Sequence, residues 1–214
     1  MEKKLLELSN TERVKAVGHR GYIGGQTPET WYGIGRLQYH FLVSRGLAPE
    51  HNFLDIACGA LRLGQYLIPF LGKGKYHGID GEQSLIDAGL ANEFNFNIID
   101  LKKPNFSVNY NFDFSFVKTV DYAIAQSLFT HLTIIDIEKC FRSLREKIAP
   151  KGRFYFSFFE GDSVKNPTVS HPQGAWRYAV NELVALAKPA GWSVEYIGNW
   201  NHPRSQKIAV ATPD

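Results

Sequence analysis

The 214-residue chain carries 24 Lys and Arg against 21 Asp and Glu, a formal net charge of +3, and is 44% hydrophobic. That length and apolar content suit one sizeable α/β domain with its own core, and a second full domain is not expected. Basic residues are scattered, Lys3-Lys4 and Lys102-Lys103 being only pairs, so the chain lacks the dense basic run that marks a nucleic-acid binder.

In chain order, Met1 to Leu8 is too charged for a signal peptide, and no stretch reaches membrane-spanning length. Two cysteines, Cys58 and Cys140, give neither a disulfide framework nor zinc spacing. A soluble, cytoplasmic protein without a metal site is expected. Thr27-Pro28-Glu29 reads as an N-cap followed by proline at the first helical position, opening an amphipathic helix to about Ser44 that Gly46 ends. Strands are expected near Asn52 to Ile56, Tyr76 to Asp80, Phe96 to Ile99, Val120 to Ala125 and Arg153 to Phe159. Thr133 and Asp136 fit a capping pattern for a helix carrying Ile137, Cys140, Phe141, Leu144 and Ile148. A further helix is expected from about Trp176 to Ala187, stopped by Pro189 and Gly191. Trp192 to Ile197 and Lys207 to Ala211 then read as late strands joined by a turn containing Pro203. The alternation predicts an α/β fold, a parallel sheet with helices on both faces. Residues 1–50 form a helical cap and lid segment on a domain spanning 51–214.

The segment from Phe53 to Gly64 runs from an apolar strand through the small residues Ala57, Cys58, Gly59 and Ala60 towards a helix, a turn over which a ligand can approach the backbone closely. It is not a P-loop, because Gln65 and Tyr66 follow Gly64 where Lys and Ser or Thr are needed. Of the dinucleotide fingerprint's three glycines only Gly59 is present. What remains is Asp55 near the end of one strand and Asp80 at the end of the next, where an acid can chelate ribose hydroxyls.

Asp55-x-x-Cys58-Gly59 resembles the first motif of the class I S-adenosylmethionine-dependent methyltransferases. The resemblance continues through Tyr76 to Asp80, Phe96 to Leu101, Tyr122 to Leu132, and Ala149-Pro150-Lys151-Gly152 before an apolar strand, covering roughly Asn52 to Glu160. Ala57 and Leu61 stand where the commonest pattern has glycines. The resemblance implies a Rossmann-like, seven-stranded, mostly parallel sheet with an antiparallel C-terminal hairpin, and S-adenosylmethionine as cofactor. It implies cofactor contact at Asp55, the turn Ala57, Cys58 and Gly59 against the methionine and ribose, and Asp80 beside Gly81 on the ribose hydroxyls. Asp100 and Leu101 would border adenine, and Gln126 and Ser127 would lie near the sulfonium or the acceptor. Arg62 is a candidate partner for the cofactor's carboxylate, with Arg20 its rival.

For catalysis the candidate is His131, in the loop after the fourth strand, as a base for an acceptor hydroxyl. Tyr22, Phe159, Glu160 and His171 are candidate acceptor contacts, and the glycine-rich segments His19 to Gly25 and Gly161 to Gly174 read as lids. Gln126-Ser127-Leu128-Phe129 stands where base-methylating relatives carry Asn/Asp-Pro-Pro-aromatic, and there is no Pro-Cys pair. A small-molecule or carbohydrate acceptor is therefore expected over nucleic acid, methylated at oxygen or nitrogen. The competing classes are a nicotinamide-dependent oxidoreductase, disfavoured by the glycine spacing, and a non-catalytic sensing module on the same fold.

Overall fold

Apolar runs without alternation become the central strands. In the computed structural model, which describes residues 8–95, 97–172 and 174–214, β1 (Phe53–Ile56) is buried at all four positions, as a parallel strand covered on both faces requires. β2 is Tyr76–Asp80, β3 Asn105–Val108, β4 Val120–Ala125 and β5 Ile148–Glu160. The two-residue β6 (Arg177–Tyr178) precedes β7 (Trp192–Asn199) and β8 (Lys207–Pro213). Strand order is β3-β2-β1-β4-β5-β8-β7, with β6 paired to β5 off this path. β1 with β4, β2 with β3 and β4 with β5 run parallel, whereas β8 runs antiparallel to both β5 and β7. The expected mostly parallel, Rossmann-like sheet with its C-terminal hairpin is thus present, with the short β6 added.

Seven α-helices are described: α1 (Asn10–Tyr22), α2 (Ile34–Ser44), α3 (Gly64–Phe70), α4 (Gln83–Asn92), α5 (Ile98–Lys102), α6 (Ile134–Arg145) and α7 (Val180–Ala187). The sequence reading missed α1, although Ser9 and Glu12 form a reciprocal capping box at its start. Thr27 does accept from the Thr30 N–H at 3.3 Å, but the turn that follows, Glu29–Gly33, is π-helical before α2 begins. Ile148 opens β5 rather than closing α6. The helix expected from Trp176 starts only at Val180, because the Trp176 N–H donates to the Thr130 carbonyl at 2.9 Å and Arg177–Tyr178 pairs with β5.

The strand expected over Phe96 to Ile99 is also corrected. Phe96 lies outside the described residues, Ile98 and Ile99 open α5, and the strand comes later as β3. Lys103 ends α5 in the left-handed region at φ 48°.

By internal contacts the chain divides into two compact units, Met1–Glu50 with Cys58–Tyr110, and His51–Ala57 with Asn111–Asp214. In the second, Phe129, Phe141, Phe154 and Phe156 are fully buried, with edge-on pairs such as Phe129–Phe141 at 5.6 Å and Phe141–Phe156 at 5.3 Å between centroids. Burying a side chain of this size stabilises by about 1.5–3 kcal/mol before the geometric bonus of the ring pairs.

In the first unit α4 packs on the turn after β1 through a glycine. A Cβ at Gly89 would sit 2.6 Å from the Ala60 carbonyl oxygen, a backbone atom that cannot step aside. Gly89→Ala gains about 1 kcal/mol of helix propensity, yet the clash costs about 1–3 kcal/mol. The expected result is a net loss of stability in urea denaturation; a more stable variant would show that the turn yields freely.

Candidate functional site

The turn after β1 is built from alternating left-handed residues: Ala57 at φ 62°, Gly59 at 54° and Leu61 at 63°. A non-glycine residue there is strained by of order 1–3 kcal/mol, and such strain concentrates at ligand sites. Three of its donors are committed: the Cys58 N–H to the Ile79 carbonyl at 3.0 Å, the Leu61 N–H to the Cys58 carbonyl at 3.0 Å, and the Gly59 N–H to Asp80 Oδ2 at 2.8 Å. The helix after this turn, α3, begins only at Gly64.

Asp80 ties the end of β2 to this turn. Its Oδ1 accepts from the Glu82 N–H at 2.9 Å. Burial pushes its carboxyl above the ordinary carboxylate range, against the lowering effect of the backbone donors at Glu82, Gly59 and Gly81. Asp55 is buried on β1, and Cys58 is likewise buried.

The amino-terminal segment lies against the same turn. Ile23 Cγ2 comes within 3.5 Å of where a Gly59 Cβ would be, and Tyr22 and Ile23 pack on the cluster of Val14, Trp31, Ala60 and Leu85. Tyr22 donates from its hydroxyl to Asn10 Oδ1 at 2.9 Å, and burial pushes the Tyr22 phenol up to about 12. Asn10 Nδ2 donates in turn to the Tyr110 hydroxyl at 3.2 Å. The Tyr110 ring covers Gly81 so closely that a Cβ there would lie 2.0 Å from it.

Tyr110 was not anticipated, and Asp100 and Leu101 are not where the strand assignment put them. Both lie exposed on α5, which is fastened to the loop before β2: the Gly74 N–H donates to the Lys102 carbonyl at 2.6 Å and Lys102 Nζ to the Leu71 carbonyl at 2.7 Å. In the parallel register Asp80 faces Val108, so the carboxyl end of β3 belongs to Asn109 and Tyr110, and Asp100 precedes the strand's amino end. Arg62 is buried and donates to the Thr30 carbonyl at 3.2 Å. Its rival Arg20 is held by Glu93, with both contacts at 2.7 Å.

In the second unit the loop after β4 carries a closed polar network. Ser127, at φ 61°, donates its N–H to Ser157 Oγ at 2.7 Å. The Ser157 hydroxyl donates to Gln206 Oε1 at 2.7 Å, and Gln206 Nε2 donates to Ser127 Oγ at 2.7 Å. Gln126 Nε2 reaches Gln206 Oε1 at 3.3 Å and His202 Nε2 at 3.2 Å. His202 stacks on Trp200 with centroids 5.3 Å apart.

His131 stands at the end of this loop with its Nδ1 2.7 Å from the Gly174 carbonyl oxygen. A carbonyl only accepts, so Nδ1 carries the proton and the neutral ring keeps its lone pair on Nε2. Burial is the largest cause lowering its pKa from 6.5, Arg204 and His171 add to the lowering, and the Gly174 carbonyl opposes it. The expected lid segment is fastened to this loop by the His171 N–H on the His131 carbonyl at 3.0 Å and the Thr133 N–H on Ser170 Oγ at 2.8 Å. The His171 ring is exposed. At the end of β5, Arg177 lies over the Phe159 ring at 5.6 Å, and Glu160 Oε2 accepts from the Tyr196 hydroxyl at 3.0 Å.

Among the described residues no group of three or more His, Cys, Asp or Glu is placed to hold a metal ion, and no helix is long and apolar enough to cross a membrane.

The strand order and the acid anchored on the first turn define a Rossmann-like α/β fold. No protein-family model matches the sequence, and comparison with curated proteins finds no match either. Solved structures share the fold. A TehB-like S-adenosylmethionine-dependent methyltransferase from Corynebacterium glutamicum is 17% identical with a TM-score of 0.64, the match covering 96% of this chain and 98% of that one. Magnesium protoporphyrin IX methyltransferase from Synechocystis, solved with bound S-adenosylmethionine, is 15% identical with a TM-score of 0.65 over 97% of this chain and 98% of that one. A glycopeptide N-methyltransferase is 14% identical with a TM-score of 0.64 over 84% and 90%.

Proposed function

We propose that the protein transfers the methyl group of S-adenosylmethionine to an oxygen or nitrogen of a small-molecule or carbohydrate acceptor. The observation that carries this reading is Asp80, a carboxylate at the end of β2 whose Oδ2 accepts from the Gly59 N–H of the turn after β1 at 2.8 Å. A carboxylate has about four acceptor positions, and the structure gives Asp80 protein partners at both oxygens without filling them, which suits it to ribose hydroxyls. The missing Cβ atoms at Gly59 and Gly81 are what let Ile23 and the Tyr110 ring close on the backbone on either side of it. Cys58, in the same unit as Asp80, is a further cofactor contact in this reading, and Asp55, Ala57, Gln126 and Ser127 are the candidates of the other unit.

The cofactor supplies a methyl group already activated on a sulfonium. The protein's part is positioning, with a base needed only where the acceptor is a hydroxyl. His131, neutral with its lone pair on Nε2, is the base in this proposal, and Tyr22, Phe159, Glu160 and His171 are candidate acceptor contacts. The fold's neighbours act on acceptors as different as a porphyrin and a glycopeptide, so the fold leaves the acceptor open.

Calorimetric titration with S-adenosylmethionine and S-adenosylhomocysteine, with oxidised and reduced nicotinamide cofactors as controls, tests the reading. Micromolar binding of the methionine-derived pair and none of the nicotinamides is expected. The reverse preference would replace it with the oxidoreductase reading.

A further inference from the structure

We propose that Arg13, on the inner face of α1, holds the carboxylate at the amino-acid end of S-adenosylmethionine; the inference rests on the cofactor reading above. Arg13 is 8% exposed, and its Nε and Nη1 are buried with no hydrogen-bond partner. Its third nitrogen, Nη2, donates to Asn10 Oδ1 at 2.7 Å, and its guanidinium lies 5.8 Å from the centre of the Tyr22 ring. The group is therefore oriented from one side and unsatisfied on the others.

A guanidinium cannot shed its proton to escape burial. A buried cation without a partner anion is among the costliest arrangements a fold can keep, and a paired one is far less so. The partner most suited to it is a carboxylate, which meets the planar guanidinium with charge-assisted hydrogen bonds. S-adenosylmethionine carries one carboxylate and no other anionic group.

Contacts lead from Arg13 through its neighbours to Gly81 beside Asp80 and to Ala60 of the turn after β1. Asn10, which holds Nη2, also binds the hydroxyls of Tyr22 and Tyr110, and Tyr110 covers Gly81 beside Asp80. The next residue, Val14, packs in one cluster with Ala60 of the turn and with Trp31. Trp31 Nε1, in that cluster, is itself buried and without a partner, a second unsatisfied donor in the same unit. The two arginines singled out in the sequence are committed, Arg62 to the Thr30 carbonyl and Arg20 to Glu93.

The test compares two probes by calorimetry on the full chain: S-adenosylhomocysteine, and its decarboxylated analogue 5′-S-(3-aminopropyl)-5′-thioadenosine. Wild type is expected to bind the first at least ~10-fold more tightly, since a charge-assisted pair is worth that factor or more. Arg13→Met should lose at least ~10-fold for S-adenosylhomocysteine, leave the analogue's affinity unchanged, and so bind both alike; Arg13→Lys should keep part of the preference. Unliganded Arg13→Met should melt no lower than wild type, because an unpaired buried charge is replaced by an apolar side chain of similar length.

Equal weakening for both probes, or a preference untouched by the substitution, would overturn the role of Arg13 while leaving the cofactor reading standing. If wild type binds neither nucleoside, both readings fall together.

Discussion

Asp80→Ala is expected to weaken S-adenosylhomocysteine binding by ~100-fold and to destabilise the unliganded protein by about 2–4 kcal/mol. The second figure follows from the Gly59 and Glu82 N–H groups, which lose their acceptor; an orphaned buried donor costs about 1–3 kcal/mol. The first adds the loss of the ribose acceptor that the proposed function assigns to Asp80 to the loosening of a turn tied to that carboxylate through Gly59. Asp80→Asn separates the two, because it keeps the side chain's size and one acceptor oxygen but turns an N–H₂ towards one of the backbone donors. Calorimetry and urea denaturation on the same three proteins read both effects.

The pH dependence of stability gives an independent check on Asp80. Burial raises its carboxyl above the ordinary 3.8 in the folded protein, so the folded state keeps its proton at pH values where the unfolded chain has lost it. Stability attributable to this residue is present at low pH and is lost as pH rises from 3.8 through the folded pKa, levelling off above it. The stability difference between wild type and Asp80→Asn should therefore shift against wild type across that window. A difference flat in pH would mean that the backbone donors offset burial, and one that shifts in favour of wild type would mean that they outweigh it.

The places of Asp80, at the end of β2, and of Gly59, in the turn after β1, were legible because both strands read plainly. β1, β2 and β4 are short apolar runs in which burial leaves no alternative. β3 was not legible for the opposite reason. It stands at one end of the strand order and none of its residues is fully buried, so Asn105-Phe106-Ser107-Val108 shows no apolar run, while Ile98-Ile99 imitates one inside a helix. The error carried Asp100 with it and hid Tyr110.

Arg13 was hidden differently: Asn10-Thr11-Glu12-Arg13-Val14-Lys15 reads as a solvated charged helix, and only the packing of α1 decides that Arg13, rather than Lys15, turns inward. A side chain's partner across the fold is beyond pattern reading in the same way. His131 could be singled out by its place after the fourth strand, but the carbonyl that fixes its tautomer lies 43 residues along, in Gly174.

That carbonyl governs the second large expectation. If an acceptor hydroxyl is deprotonated during transfer, His131→Ala should lower the single-turnover rate by about 10²–10⁴-fold, the range a general base supplies, with cofactor affinity unchanged. The wild-type rate should rise with pH through a value below 6.5 and be level by neutrality, since burial, Arg204 and His171 all lower the imidazole's pKa. His131→Ala should abolish that rise. The same shift acts on stability in the corresponding sense: a histidine kept neutral by the fold contributes stability present above 6.5 and lost as pH falls through the folded pKa. A methyl acceptor that is a neutral amine needs no such base. Loss of turnover with the pH profile intact would then mark His131 as a residue that positions the loop between β4 and α6, held there by the Gly174 carbonyl, rather than one that moves a proton.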